Sequence, residues 1–180
     1  HTVLDDKIYK KGFIDFKDDI QKSLDQLDFL NDPKAYDKKQ ELKAMAIAAD
    51  GLLILAKRYS EKAKKMAKKE TQNQSKKELQ KISEICSRIP AHAPQNFWEA
   101  LQHYWFVHLG VITELNGWDS FNPGRLDQHL YPFYEKQIKE NSLTQEDAKE
   151  LLEAFWIKFN NQPAPPKVGV TAEESGTSTD

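Results

Sequence analysis

Apolar residues recur at helical spacing almost from the start of this chain. Ile8, Phe13, Phe16, Ile20, Leu24 and Leu27 follow one another at steps of three to five, the interval that lines one face of an α-helix. This predicts an amphipathic helix over 5–28, with Gly12 inside it. Asp32 followed by Pro33 then reads as an N-cap and a first helical position, opening a second helix that runs to about Glu70. Its middle, Glu41 to Tyr59, is apolar nearly all round and predicts burial on several sides. A third helix is expected over 72–88, stopping before Pro90. The fourth, from Pro94 to about Leu115, carries Phe97, Trp98, Leu101, Trp105, Val107, Leu109 and Ile112, too many large side chains for one exposed surface, so it is expected to be enclosed. A fifth spans about 124–140, with Pro132 kinking or interrupting it. Thr144 and Asp147 resemble a capping box for a sixth, through Leu151, Leu152, Phe155, Trp156 and Phe159. After Asn160 the pattern changes. Three prolines and a short β-branched stretch make Lys167 to Thr171 a strand whose sheet partners lie elsewhere.

Composition narrows the function classes. The chain has 180 residues, 39% hydrophobic and 11% aromatic, enough apolar material for a sizeable core. With 26 basic and 28 acidic residues the net charge is −2, which argues against a general affinity for nucleic acid or anionic membranes. The lysine-rich stretch from Ser60 to Glu78 has no interleaved aromatics and is offset by Glu61, Glu70 and Glu78, so it reads as a solvated helix face. The single cysteine, Cys86, sits near the buried side of the third helix and excludes an intrachain disulfide framework, which fits a reducing, cytoplasmic compartment. The longest apolar stretch, Ala44 to Ala56, is interrupted by Asp50 and falls short of a membrane span. No secretion signal is visible at the start. The chain opens on His1 without a methionine and stops at Asp180 after an extended segment, so both ends are expected to be cuts through a larger polypeptide.

The candidate chemistry concentrates in Asn116 to Tyr134, NGWDSFNPGRLDQHLYPFY. Trp118, Asp119, Ser120 and Arg125 lie beside Asn116, Gly117, Pro123 and Gly124, so turn-forming residues hold polar heads in fixed directions. The same residues also suit a capped turn between two helices, with Asp119 or Asn122 as N-cap and Arg125 paired to Asp127 or Glu135. Spacing alone leaves both readings open. Of the five histidines, His103 and His108 are five apart on a helix, about 140° from sharing a face, with no carboxylate at ligand spacing, and no metal site is expected. His92 reads as a loop residue and His129 as a surface or capping residue. Neither GxSxG nor a glycine-rich phosphate loop is present.

Four segments, taken in order, resemble the glycyl radical enzymes related to pyruvate formate-lyase. They are HTVLDDKIYKKGFIDF at the start, HAPQNFWEALQHYWFVHLGVITEL, the GRLDQ and PFY portions of the turn described above, and FNNQPAPPKVGVTAEESGTSTD at the end. Within that family His1, Trp118 with Asp119, and Glu174 with Ser175 are most similar to the branch that dehydrates trans-4-hydroxy-L-proline. The resemblance implies a mainly α chain: a helical region over 1–160 and, over 161–180, the first strand region of a ten-stranded β/α barrel, all of it part of one domain. A free-standing helical interaction protein is the alternative from another class.

The resemblance also assigns roles. His1 and Asp119 fall where that branch contacts the substrate hydroxyl and are the implied catalytic pair, while Ser175 and Asp180 fall among contacts to the rest of the substrate. Trp118 is a pocket wall or core. The implied reaction is radical dehydration of trans-4-hydroxy-L-proline to 1-pyrroline-5-carboxylate, with isethionate sulfite-lyase, diol dehydratase and formate acetyltransferase activities as alternatives within the family. No cofactor is bound directly; a glycyl radical is installed on the intact protein by a radical S-adenosylmethionine activating enzyme. Implied partners are that enzyme, a small-molecule substrate and a second copy in a homodimer. The chain departs from the family in two ways. It contains no catalytic-cysteine loop and no glycyl-radical loop, so by itself it is expected to be inactive, and Ser178 stands where relatives carry tyrosine.

Overall fold

The computed structural model describes residues 4–114 and 122–161. Every element among them is helical: a 3-10 helix over Asp5–Tyr9, then α1 (Phe13–Asp25), α2 (Ala35–Lys69), α3 (Asn73–Arg88), α4 (Phe97–Glu114), α5 (Leu126–Lys139) and α6 (Gln145–Asn161). The strand expected over Lys167–Thr171 lies outside the described residues. The chain divides into two compact units, Lys10–Ala93 and the pair of segments His1–Tyr9 with Pro94–Asp180.

In the first unit α1 and α3 pack on α2. The single helix expected over 5–28 is in fact the 3-10 helix and α1, broken at Gly12, for a reason that is not local. Phe13 and Ile14 donate their backbone N–H groups to the carbonyls of Pro90 and Ala91, at 2.9 and 3.1 Å. Two N–H groups that a helix start leaves without an intrahelical acceptor are thereby satisfied by a distant segment. Gly12 donates its N–H to Asp15 at 2.9 Å. A side chain at position 12 would run into the backbone: an added Cβ would lie 2.1 Å from the Ala91 carbonyl oxygen and 2.4 Å from the Cα of His92. Glycine stands there because two stretches of backbone meet.

Helix α2 has 35 residues and α3 has 16, lengths of about 52 and 24 Å. The three residues between them make a tight antiparallel turn, and their seam is built from small side chains: Ala56, Ser60, Ala63 and Ala67 on α2 face Ser83 and Cys86 on α3. Close approach lets Ser60 donate to the Ser83 carbonyl at 2.7 Å while Ser83 donates to the Ser60 carbonyl at 2.9 Å, so neither buried hydroxyl lacks a partner. The expectation that the apolar middle of α2 is buried on several sides is not met among the described residues. Ala49 and Ala56 are buried, but Ile47 and Ile54 are 71% and 59% exposed. Two shorter helices cannot cover a helix of this length on every face.

Candidate functional site

The second unit is organised around α4. Asn96 starts it, its side chain accepting from the Glu99 N–H at 2.9 Å while Glu99 reaches back to the Gln95 N–H at 2.8 Å. Enclosure, expected from the density of large residues, is observed for Phe97, Ala100, Leu101, Tyr104, Trp105, Phe106 and Val107, which are buried, while Trp98, Leu109 and Ile112 are only half-buried. The proline expected at the helix start, Pro94, instead precedes the cap.

Aromatic rings gather where α4 meets α6. His108 lies 5.2 Å from Trp105 and 4.8 Å from Phe159, centroid to centroid, and Phe155 meets Trp105 edge-on at 6.3 Å. Lys158 places its ammonium 5.3 Å over the Trp105 ring. The His108 Nδ1 is buried and has no hydrogen-bond partner among the described residues. Burial disfavours the imidazolium and lowers its pKa from 6.5 to about 4. The folded state therefore binds fewer protons than the unfolded chain between those values. This group leaves stability unchanged above pH 6.5, lowers it progressively as pH falls through that window, and exerts its full, constant penalty below about 4. Allowing for solvent screening, the loss is on the order of 2 to 3 kcal/mol. His108→Phe is expected to flatten the stability profile between pH 6.5 and 4 without loss at neutral pH, measured by urea denaturation across that range.

The 3-10 helix packs on α4 with Ile8 and Tyr9 buried. Leu4 and Asp5, where it begins, have φ of 60° and 47°. Left-handed backbone at non-glycine residues costs roughly 1 to 3 kcal/mol each and persists only where the surroundings impose it. The surroundings here are rings from α5. His129 stacks on Tyr9 with centroids 5.1 Å apart, Phe133 lies 6.4 Å from Tyr9, and the His129 Nε2 is 3.6 Å from the Asp5 carboxylate. The Tyr9 hydroxyl is buried without a hydrogen-bond partner among the described residues, and burial pushes its pKa upward, so it stays protonated.

The turn into α5 is set locally. Asn122 accepts from the Gly124 N–H at 2.9 Å, Gly124 has a φ of 63°, and Arg125 lies 3.8 Å from Asp127 in an exposed ion pair. Asn122 thus shapes the turn and does not cap α5, whose N-cap is Arg125. Pro132 lies inside α5 without ending it. Contacts on the far side hold the helix: Gln137 accepts from the Phe97 N–H at 2.8 Å and Tyr134 meets the Phe97 ring at 6.1 Å. At its end Asn141 takes a φ of 52°, with Ser142 donating to the Gln137 carbonyl and Asn141 to that of Ile138. The expected cap of α6 is present, Thr144 accepting from the Asp147 N–H at 3.0 Å.

His1, Trp118, Asp119, Ser175, Ser178 and Asp180 lie outside the described residues. Along the sequence His1 precedes the 3-10 helix, Asp119 joins α4 to α5, and Ser175 and Asp180 follow α6, all elements of one unit. Among the described residues no group of three histidine, cysteine or acidic side chains gathers as a metal site, and no helix is long and apolar enough to cross a membrane. His129 was misjudged from sequence. It is a half-sandwiched ring with only 15% of its side chain exposed, and its partner Tyr9 is too distant in the chain for any local pattern to reveal.

The profile of the pyruvate formate lyase-like family matches residues 1–179, and the chain belongs to that family. It is 59% identical over all 180 residues to the trans-4-hydroxy-L-proline dehydratase of Clostridioides difficile, spanning 23% of that protein's length. Over 152 residues, 84% of the chain and 18% of the relative, it is 36% identical to the isethionate sulfite-lyase of Oleidesulfovibrio alaskensis. Among solved structures, the C. difficile hydroxyproline dehydratase with trans-4-hydroxy-L-proline bound superposes with a TM-score of 0.89 at 60% identity, covering 94% of this chain and 21% of that one. The chain therefore spans about a fifth to a quarter of the length of the relatives it matches.

Proposed function

We propose that this chain is the substrate-proximal helical part of a longer glycyl radical enzyme that dehydrates trans-4-hydroxy-L-proline to 1-pyrroline-5-carboxylate. The observation that carries the reading is the identity of 59% held over the whole chain, well above the 36% to an enzyme of different substrate. In this reading the C4–O bond of the substrate breaks and the hydroxyl leaves as water. A proton must reach the departing oxygen, and His1, supported by the charge of Asp119, supplies it near neutral pH. Ser175 holds the other end of the substrate through its hydroxyl without adding charge, with Asp180 in the same pocket.

The hydrogen abstraction that starts such a reaction would be made by a cysteine thiyl, generated in turn from a glycyl radical that an activating enzyme installs. This chain's residues do not fit that task. Cys86 is its single cysteine, and it is buried on α3 in the seam with α2. The radical residues are accordingly assigned to the remainder of the polypeptide.

The test is turnover of the intact, activated enzyme on hydroxyproline, isethionate, glycerol and choline. A sulfonate brings a fixed negative charge and calls for a cationic or amide partner near position 1, whereas a histidine paired with an aspartate suits a leaving hydroxyl. Pyrroline carboxylate is the expected product. Activity on isethionate with none on hydroxyproline would overturn the assignment.

A further inference from the structure

The His129 imidazole touches both ends of the five-residue 3-10 helix, stacking on Tyr9 at its last position and facing the Asp5 carboxylate at its first. It projects from α5, the helix that follows the turn containing Asp119, while the 3-10 helix begins four residues after His1. Four residues reach at most about 14 Å, so chain connectivity keeps His1 within that distance of Asp5. The left-handed backbone at Leu4 and Asp5 is costly, so the junction keeps this conformation only where neighbouring contacts impose it.

We infer that His129 is a positioning residue for the dehydration, fixing the segment that carries His1 through its contacts with Tyr9 and Asp5; this rests on the roles proposed above for His1 and Asp119. The ring stack carries more of the task than the contact with the Asp5 carboxylate. Asp5 is 80% exposed, and pairs so open to solvent contribute little. Tyr9, in contrast, is buried against α4, so a ring laid on it inherits a rigid support. A side chain that positions the acid without touching the substrate should influence the rate only as long as the acid is there to be positioned.

That condition sets the experiment, a double-mutant cycle in the full-length, activated enzyme with trans-4-hydroxy-L-proline as substrate. His129→Ala is expected to lower kcat by about ten- to a hundredfold, the scale of a small misplacement of a reacting group. In a His1→Gln background the same substitution should cost less than about threefold, because its effect is already lost. His129→Phe keeps a ring on Tyr9 and should recover most of the alanine loss. If His129→Ala does not yield folded protein, His129→Leu, which fills the volume without the stack, takes its place in the cycle. Equal losses in both backgrounds would show that His129 acts independently of His1 and overturn the inference while leaving the role of His1 standing. Full activity in His1→Gln alone would instead remove the proposed role of His1, and the positioning role with it.

Discussion

Asparagine in place of Asp119 is expected to slow the intact, activated enzyme on the order of a hundred- to ten-thousandfold, the usual contribution of one acid/base group. The substitution keeps size and polarity and removes the charge proposed to support a protonated imidazole at His1. A helix or turn cap responds differently. Asparagine and aspartate cap about equally well, so a purely structural Asp119 predicts unchanged turnover together with unchanged stability. Turnover and thermal stability measured side by side separate the two, with radical content monitored by electron paramagnetic resonance so that failed activation is not mistaken for failed chemistry. Near-normal turnover with a full radical signal would return Asp119 to the turn.

Gly12→Ala is expected to be the most damaging single-methyl addition in the helical scaffold, costing about 3 kcal/mol or more. The new Cβ would sit 2.1 Å from the Ala91 carbonyl oxygen and 2.5 Å from its carbonyl carbon, and neither is the end of a flexible side chain. Relief requires the segments to separate, which breaks the bonds from Phe13 and Ile14 that start α1. Gly51 supplies the contrast. It lies within α2 with nothing inside 4 Å of an added Cβ, so Gly51→Ala should stabilise by roughly 0.5 to 1 kcal/mol through helix propensity alone. Thermal unfolding of the two variants checks both signs. A harmless Gly12→Ala would show that the two backbone segments do not meet as described.

What was legible in the sequence follows the range of the signal. Helices α3, α4 and α6 were placed to within a few residues because their marks are local: the stop before Pro90, the crowding of Phe97 to Ile112, and the Thr144 cap of α6. The break at Gly12 was not legible, since its cause is the backbone at 90–92. Helix α5 was legible as one segment over about 124–140, but whether Pro132 would interrupt it was not, and it does not end the helix. Composition misled at the middle of α2, where alanines form the seam and larger residues point outward; hydrophobic content identifies a helix but not which face finds a partner. For the site, spacing brought out only the polar turn, and the roles of His1, Asp119, Ser175 and Asp180 came from family resemblance. His129 escaped both routes because its partners Tyr9 and Asp5 lie far from it along the chain.

Whether this part of the enzyme handles the leaving hydroxyl is tested by a crystal structure of the intact protein with trans-4-hydroxy-L-proline bound. The C4 hydroxyl is expected within hydrogen-bonding reach, about 2.6 to 3.2 Å, of His1 and Asp119, with the carboxylate end toward Ser175. A substrate bound with its hydroxyl turned away from both His1 and Asp119 would contradict it.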